Sequence, residues 1–354
     1  PVFIRTDKPV TVAGNVFTAS IHIVTVVVGA GVLALAWAMA QLGWIPGLAT
    51  MIIFACISIY TYNLVADCYR YPDPINGKRN YTYMQAVDAY LGKGETTRVF
   101  GNKVGPGLSE ADKMWRVFSA LGNIALACSY ATVVYDIMDT LKSYPPECKQ
   151  MKKANVLGIT TMTILFLLCG SLGYAAFGDD TPGNILTGFG FYEPFWLVAL
   201  GNVCIVIHMI GAYQVLAQPL FRIIEMGANM AWPGSDFINK EYPTKIGSLT
   251  FSFNLFRLIW RTIYVAVVTI IAMVMPFFNE FLALLGAIGF WPLIVFFPIQ
   301  MHIAQKQIKR LSFKWCLLQL LSFVCFLVSV VAAVGSIRGI SKNIKKYKLF
   351  MYKQ

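Results

Sequence analysis

Val28-Gly29-Ala30-Gly31-Val32-Leu33 stands in the middle of an apolar run over residues 17–42, and its two glycines decide how that run is read. A run of about 20 apolar residues crosses about 30 Å of hydrocarbon as one helix. A glycine weakens a helix interior by about 1 kcal/mol relative to alanine, so this run is expected to unwind locally at mid-membrane. Backbone N–H groups freed at the start of the second half-helix suit a carboxylate, and carbonyls freed at the end of the first suit an ammonium. Gly29, Ala30, Gly31, Val32 and Leu33 are therefore expected to present backbone to a small zwitterion. The alternative is that a small-x-small pattern lets a neighbouring helix approach closely, and the sequence leaves the two open. No strand flanks the Gly-x-Gly to support a nucleotide site.

Outward from this run, seven more of similar length follow at 45–68, 117–138, 156–177, 195–224, 258–278, 281–303 and 315–337. With 57% apolar and 13% charged residues and a mean hydropathy of +0.62, the chain lies outside the range of soluble domains. An all-α membrane bundle of about eight transmembrane helices, forming one domain, is expected. No Ser/His/Asp set, His-Glu-x-x-His or phosphate loop occurs, so an enzyme has little support. Cys56, Cys128, Cys169, Cys204, Cys316 and Cys325 fall inside apolar runs and no two cysteines form a Cys-x-x-Cys pair, so no metal centre, disulfide framework or cofactor is expected. No cleavable signal peptide is apparent, and since the chain opens on Pro1, residues are expected to precede it.

The net charge of +12 resides in short loops beside apolar runs, where cytoplasmic orientation and anionic lipid account for it without nucleic acid. Lys142, Lys149, Lys152 and Lys153 follow the third run, and Arg222, Lys240, Lys245, Arg257 and Arg261 the fifth. Lys306, Lys309, Arg310 and Lys314 follow the seventh. These three loops are expected inside. Asp179, Asp180, Glu193 and Glu280 mark the loops between them as external, and parity puts the C-terminal tail outside despite its lysines. At the front, Arg5 and Lys8 put the N-terminus inside, and Arg70, Lys78, Arg79, Lys93 and Arg98 put the chain inside again after two runs. The third run must then begin and end on the same face. Either it is re-entrant, or the bundle tolerates a mismatch, or one or three helices belong between Arg70 and Trp115. The same orientation puts the Asn80-Tyr81-Thr82 sequon in the cytoplasm, unmodified.

Polar groups inside the runs are few. The third run holds a second weak point at Gly122, Asn123, Ile124 and Ala125, followed by Ser129 and Tyr130. Two interrupted helices in matching places point to a transporter's midplane site; the alternative is a helix–helix amide contact. Histidine is the side chain whose charge changes near neutral pH, so His22 and His208 are the candidates for proton coupling, with a simple interhelical hydrogen bond as the alternative.

Residues 18–25 and 29–44 resemble the first helix of the plant amino acid permeases, within the amino acid/auxin permease family. Residues 77–84, 151–154, 173–178, 184–191 and 284–292 are similar to further strings of that family, as is His208-Met209-Ile210-Gly211-Ala212-Tyr213-Gln214-Val215. The resemblance implies a five-plus-five inverted-repeat fold of the amino acid/polyamine/organocation type with one further helix. It also implies proton-coupled amino acid import at the plasma membrane, with substrate at the broken first and sixth helices, here Gly29 to Leu33 and Gly122 to Ala125. Asn123 stands where many members carry Asp. The family's third to fifth helices have no counterpart, and the gap is expected near Phe100-Gly101. Residues 1–70 would then be a partial first repeat and 71–114 a basic loop, with 115–303 the second repeat and 304–354 the final helix and tail. Two functions follow as expectations: a proton-coupled symporter taking amino acid and protons as its ligands, or a truncated, non-transporting fragment that is inactive or associates with intact permeases.

Overall fold

A computed structural model describes residues 14–92, 110–131, 133–142, 144–189, 195–246, 249–274 and 278–346. The expected gap near Phe100-Gly101 lies outside the described residues, as do Arg5, Lys8, Lys93, Arg98, Glu193 and the end of the tail.

Among the described residues the chain is helical apart from two small hairpins. The first run is three pieces: α1 (Val16–Val27), α2 (Ala30–Leu33) and α3 (Leu35–Leu42). The Asn15 side chain caps α1 by accepting from the Thr18 N–H at 3.0 Å, while Thr18 Oγ1 accepts from the Asn15 N–H at 2.8 Å. Gly43, at φ +83°, makes the reversal into α4 (Trp44–Asp67), a conformation open to glycine without strain. After the hairpin β1 (Arg70–Tyr71) and β2 (Lys78–Arg79) come α5 (Tyr83–Leu91), α6 (Glu110–Ala127) and α7 (Val134–Asp139). The long helices α8 (Glu147–Phe177) and α10 (Phe195–Ala231) flank the short α9 (Ile185–Gly188). Then follow α11 (Asp236–Asn239), the hairpin β3 (Glu241–Ile246) and β4 (Leu249–Asn254), and α12 (Leu255–Val274). Finally α13 (Phe278–Gly289) passes through a π-helical turn at Phe290–Phe296 into α14 (Phe297–Gln305), and α15 (Phe313–Lys346) closes the fold. Pro292, which has no N–H to give, lies in that turn, and the Phe297 N–H bonds five residues back to the Pro292 carbonyl.

Among the described residues six helices are long and apolar enough to cross a membrane, and α1 with α2–α3, bent by 58°, is a seventh if the pair is one span. The expected eighth, 117–138, is not one helix. It divides into α6 and α7 at residues 128–133, past the expected break: Gly122, Asn123, Ile124 and Ala125 are all inside α6. Close packing explains Gly122 instead. A Cβ there would overlap the backbone oxygen of Ala283 in α13, and one on Gly286 would overlap the backbone oxygen of Gly122. The two helices cross through paired glycines, as small residues permit in a membrane.

The basic loops gather at one end of the bundle. Gly14 pairs with the 140–142 turn, Lys152 Nζ is 2.6 Å from Asp67 Oδ2, and Arg222 reaches Asp136 at 3.4 Å. Gln305 donates to the carbonyl of Asp67 at 2.6 Å. Glu147, its side chain 2% exposed, is held by Arg70 at 2.8 Å and Arg79 at 2.6 Å, so the β1–β2 hairpin is clamped there too. Asn80 belongs to the same end, buried and donating to the Cys68 carbonyl at 3.2 Å. At the opposite end Gln41, Lys113, Arg116 and Asp179 line one cavity of about 430 Å³, Arg338 lies over Trp115, and Glu280 meets Gly339.

This arrangement removes the re-entrant reading. The α6–α7 segment enters at the acidic end, at Lys113, and leaves at the basic end, where the Tyr69 hydroxyl donates to Asp139. Gly92 closes α5 at the basic end, where the Tyr90 hydroxyl donates to the Arg70 carbonyl at 2.6 Å. Gly92 and Glu110 thus stand at opposite ends, and the sequence between them holds Lys93, Glu95, Arg98 and Lys103 with no apolar run of crossing length.

Candidate functional site: two interrupted helices in contact

The first interruption centres on Val28 (ψ 73°) and Gly29 (φ −129°, ψ −143°), both outside helical geometry. Across it the regular ladder shortens: Gly29 bonds back to Val27, Val32 to Gly29 and Ala34 to Gly31. Gly31 is also a packing position, because a Cβ there would come within 3.1 Å of Ala127 Cα. Local unwinding and close packing thus occur together at the glycine pair. The helix unwinds at Gly29, and Gly31 brings the unwound stretch against the last residue of α6.

The second interruption begins where the first touches it. Past Ala127 the amide of Ser129 bonds to Leu126 and that of Val133 to Tyr130, both three residues back, before α7 resumes at Val134. The C-terminal ends of α1 and α6 and the N-terminal ends of α2 and α7 belong to these two breaks, giving partial negative and partial positive backbone charge in one region. No Asp or Glu side chain belongs to either break.

Buried polar side chains brace the second break from the basic side. The Tyr62 hydroxyl accepts from the Tyr130 N–H at 2.8 Å, and the two rings stack with centroids 3.9 Å apart. The Tyr130 hydroxyl donates to Asn155 Oδ1 at 2.8 Å, and Asn155 Nδ2 donates to Asn63 Oδ1 at 3.1 Å. Sequence reasoning missed Tyr62, Asn63 and Asn155; polar residues inside or beside apolar runs were the available signal, and the Tyr62-Asn63 pair in α4 is one. Asn123 is fully buried on the other side of the break and donates to Asn279 Oδ1 at 2.9 Å, the interhelical amide contact that was the alternative.

The two histidines part company. His22 is exposed on α1, away from the Ala19, Ser20 and Ile23 face that packs on α8. His208, in α10, has a buried Nε2 with no hydrogen-bond partner among the described residues, and a Cβ on Gly29 would stand 4.0 Å from it. No group of three His, Cys, Asp or Glu side chains placed to hold a metal occurs among the described residues.

A family model described as transmembrane amino acid transporter protein matches residues 13–105 and 94–342. The chain belongs to this family. Amino acid permease 6 of Arabidopsis thaliana is 41% identical to it over 444 aligned residues, covering 95% of this chain and 92% of that protein. Amino acid permease 3 of the same plant is 41% identical over 441, covering 95% of this chain and 93% of the relative. Lysine histidine transporter-like 6 matches at 30% over 241 residues, 68% of this chain and 51% of that protein. No solved structure matches the chain. An alignment of 444 positions against a chain of 354 residues leaves at least 90 positions without a counterpart here. The two pieces of the family match meet at 94–105, around the gap expected near Phe100-Gly101. The resemblance to plant amino acid permeases thus stands, on an all-α multi-pass membrane fold.

Proposed function

We propose that this chain is built for proton-coupled amino acid import across the plasma membrane, with the substrate held where the two helix breaks meet. The observation that carries the reading is the close approach of Gly31 to Ala127, where a Cβ on Gly31 would stand 3.1 Å from Ala127 Cα, which joins the unwound backbone of α1–α2 to that of α6–α7. Carbonyls ending α1 and α6 attract an ammonium, and the amides opening α2 and α7 attract a carboxylate. Gly29, Ala30, Gly31, Val32 and Leu33 keep the role given them above. On the second helix the role moves from Gly122, Asn123, Ile124 and Ala125, whose backbone lies inside α6, to residues 128–133, leaving Gly122 and Asn123 to hold the helix in place. His208, beside Gly29, is the better placed of the two histidines to exchange the coupled proton.

The test uses a version in which the third to fifth helices of Arabidopsis amino acid permease 6 are inserted at 100–101. Gly31→Leu in that protein is expected to abolish amino acid uptake while surface expression stays intact. Uptake at the parent rate by this variant would show that the substrate is not held at the Gly31 backbone.

A specific observation favours a second reading for the 354-residue chain as it stands. Gly92 and Glu110 lie at opposite ends of the bundle, and the sequence between them has no apolar run of crossing length, which favours an odd number of helices wanting. Lacking three helices of the first repeat, the chain would not complete a transport cycle, and its membrane partner would be an intact permease able to supply them.

A further inference from the structure

At the basic end of α10 and α12 the structure holds a cavity of about 300 Å³ whose chemistry the transport reading does not use. Arg222, Arg257 and Arg261 line it with Glu225, Gln218 and Asn229. Arg261 donates twice to Glu225 Oε1, at 2.9 and 2.6 Å, and Arg257 meets Glu225 Oε2 at 3.1 Å, so a single carboxylate draws two guanidiniums to the cavity wall. Within the lining three positive charges face one negative charge, an excess of two. Glu241 and Asp136 touch the rim at 3.8 and 3.4 Å, and both are more than a third exposed, where solvent weakens their hold. Arg222 contacts only Asp136 among the described residues, and its side chain is 54% exposed.

A guanidinium presents paired N–H donors that match phosphate oxygens, and a phosphomonoester at neutral pH carries a charge of about −1.5 to −2, equal to the excess here. The apolar residues interleaved with the lining point to the source of the phosphate. Within two turns of the lining residues, Leu216, Leu220, Ile223, Leu258, Ile259 and Ile263 are exposed on α10 and α12, and both helices are apolar enough to lie in lipid. An acyl chain attached to a headgroup in the cavity would lie along that surface, whereas a free phosphate would leave it unused. Basic pockets between helices at the cytoplasmic face are a recurring way to hold phosphoinositides, and loop charge puts this end in the cytoplasm. We propose that this cavity binds the phosphomonoester headgroup of a phosphoinositide of the cytoplasmic leaflet.

The test is native mass spectrometry of the full chain released from nanodiscs of phosphatidylcholine doped with phosphatidylinositol 4-phosphate. Arg222→Gln/Arg257→Gln leaves Arg261 to hold Glu225, and matching thermal unfolding would verify the fold. Wild-type protein is expected to retain the phosphoinositide over phosphatidylcholine, and the double variant to bind it about tenfold or more weakly, as loss of two charge-assisted hydrogen bonds requires. Lys309→Gln/Arg310→Gln, in another basic loop of the same end, is expected to retain it unchanged. Equal loss in both variants would reduce the effect to diffuse attraction and overturn the site. Full displacement by the water-soluble inositol phosphate at matched concentration would show that the acyl chains add nothing, and would overturn the lipid assignment in favour of a soluble phosphate.

Discussion

The segment Phe278–Gln305 and the helix α12 are both apolar enough to cross a membrane, yet 44% of the most apolar stretch of the first is buried against other helices and none of the second. In α10 the share is 6%. Hydrophobicity does not separate these regions, because in lipid an apolar side chain gains little by leaving lipid for another helix. Small residues meeting small residues do. Ala283 and Gly286 of α13 receive the backbone of Gly122, whereas Gly201, Gly211 and Gly227 of α10 have nothing within 4 Å of where a Cβ would stand. The α10–α12 region thus leaves most of its surface without a neighbour among the described residues, while at least 90 positions of the relatives have no counterpart in the chain.

The largest effect that would sharpen this contrast is expected from valine at the helix crossing. Gly122→Val or Gly286→Val drives a side chain into facing backbone, which cannot retreat as a flexible side chain does, and the cost should exceed the usual 1–3 kcal/mol or so of overpacking. Folded, monodisperse protein in detergent should be lost. Gly211→Ala should fold normally and gain up to about 1 kcal/mol from helix propensity. Equal tolerance in both regions would break the comparison.

A smaller contrast is expected between two carboxylates that each hold two arginines. Glu147→Gln removes the negative charge that Arg70 and Arg79 share where they are 16% and 26% exposed, and breaking a buried ion pair costs about 3 kcal/mol or more. Glu225→Gln releases Arg257 and Arg261, which are 48% and 36% exposed, and should cost about 1 kcal/mol or less. Thermal unfolding of the two variants in one detergent checks the order, which the comparison forbids to reverse.

The smallest effect concerns sidedness, which fixes the leaflet beside the α10–α12 arginines. Asn80, buried at the basic end, should carry no glycan, so Asn80→Gln should leave the mass of the protein expressed in a eukaryote unchanged after glycosidase treatment. A glycosidase-sensitive shift that the substitution abolishes would turn the bundle over.

Much of this fold was legible in the sequence because run length and loop charge are direct consequences of the bilayer. Six of the eight runs correspond to single long helices or to the π-turned α13–α14 segment, and the break at Gly29 lies where the glycines put it. The second break was misplaced by its own clue. Gly122 reads as a helix weakener, but whether a glycine unwinds a helix or admits a neighbour depends on what stands opposite, and Gly286 is 164 positions away in the chain. The actual break, at residues 128–133, contains no glycine and is fixed by tertiary partners such as Tyr62. The charge conflict between Arg70 and Trp115 was readable because parity is a global constraint, and in the structure Gly92 and Glu110 stand at opposite ends.

The central claim, that this is an amino acid permease fold short of helices it needs, is tested most directly by amino acid uptake in yeast lacking its own permeases, with surface labelling to confirm delivery. The chain as it stands is compared with the same chain carrying helices three to five of Arabidopsis amino acid permease 6 at 100–101. The account predicts no uptake by the first and proton-dependent uptake by the second. Proton-dependent uptake by the 354-residue chain alone would contradict it.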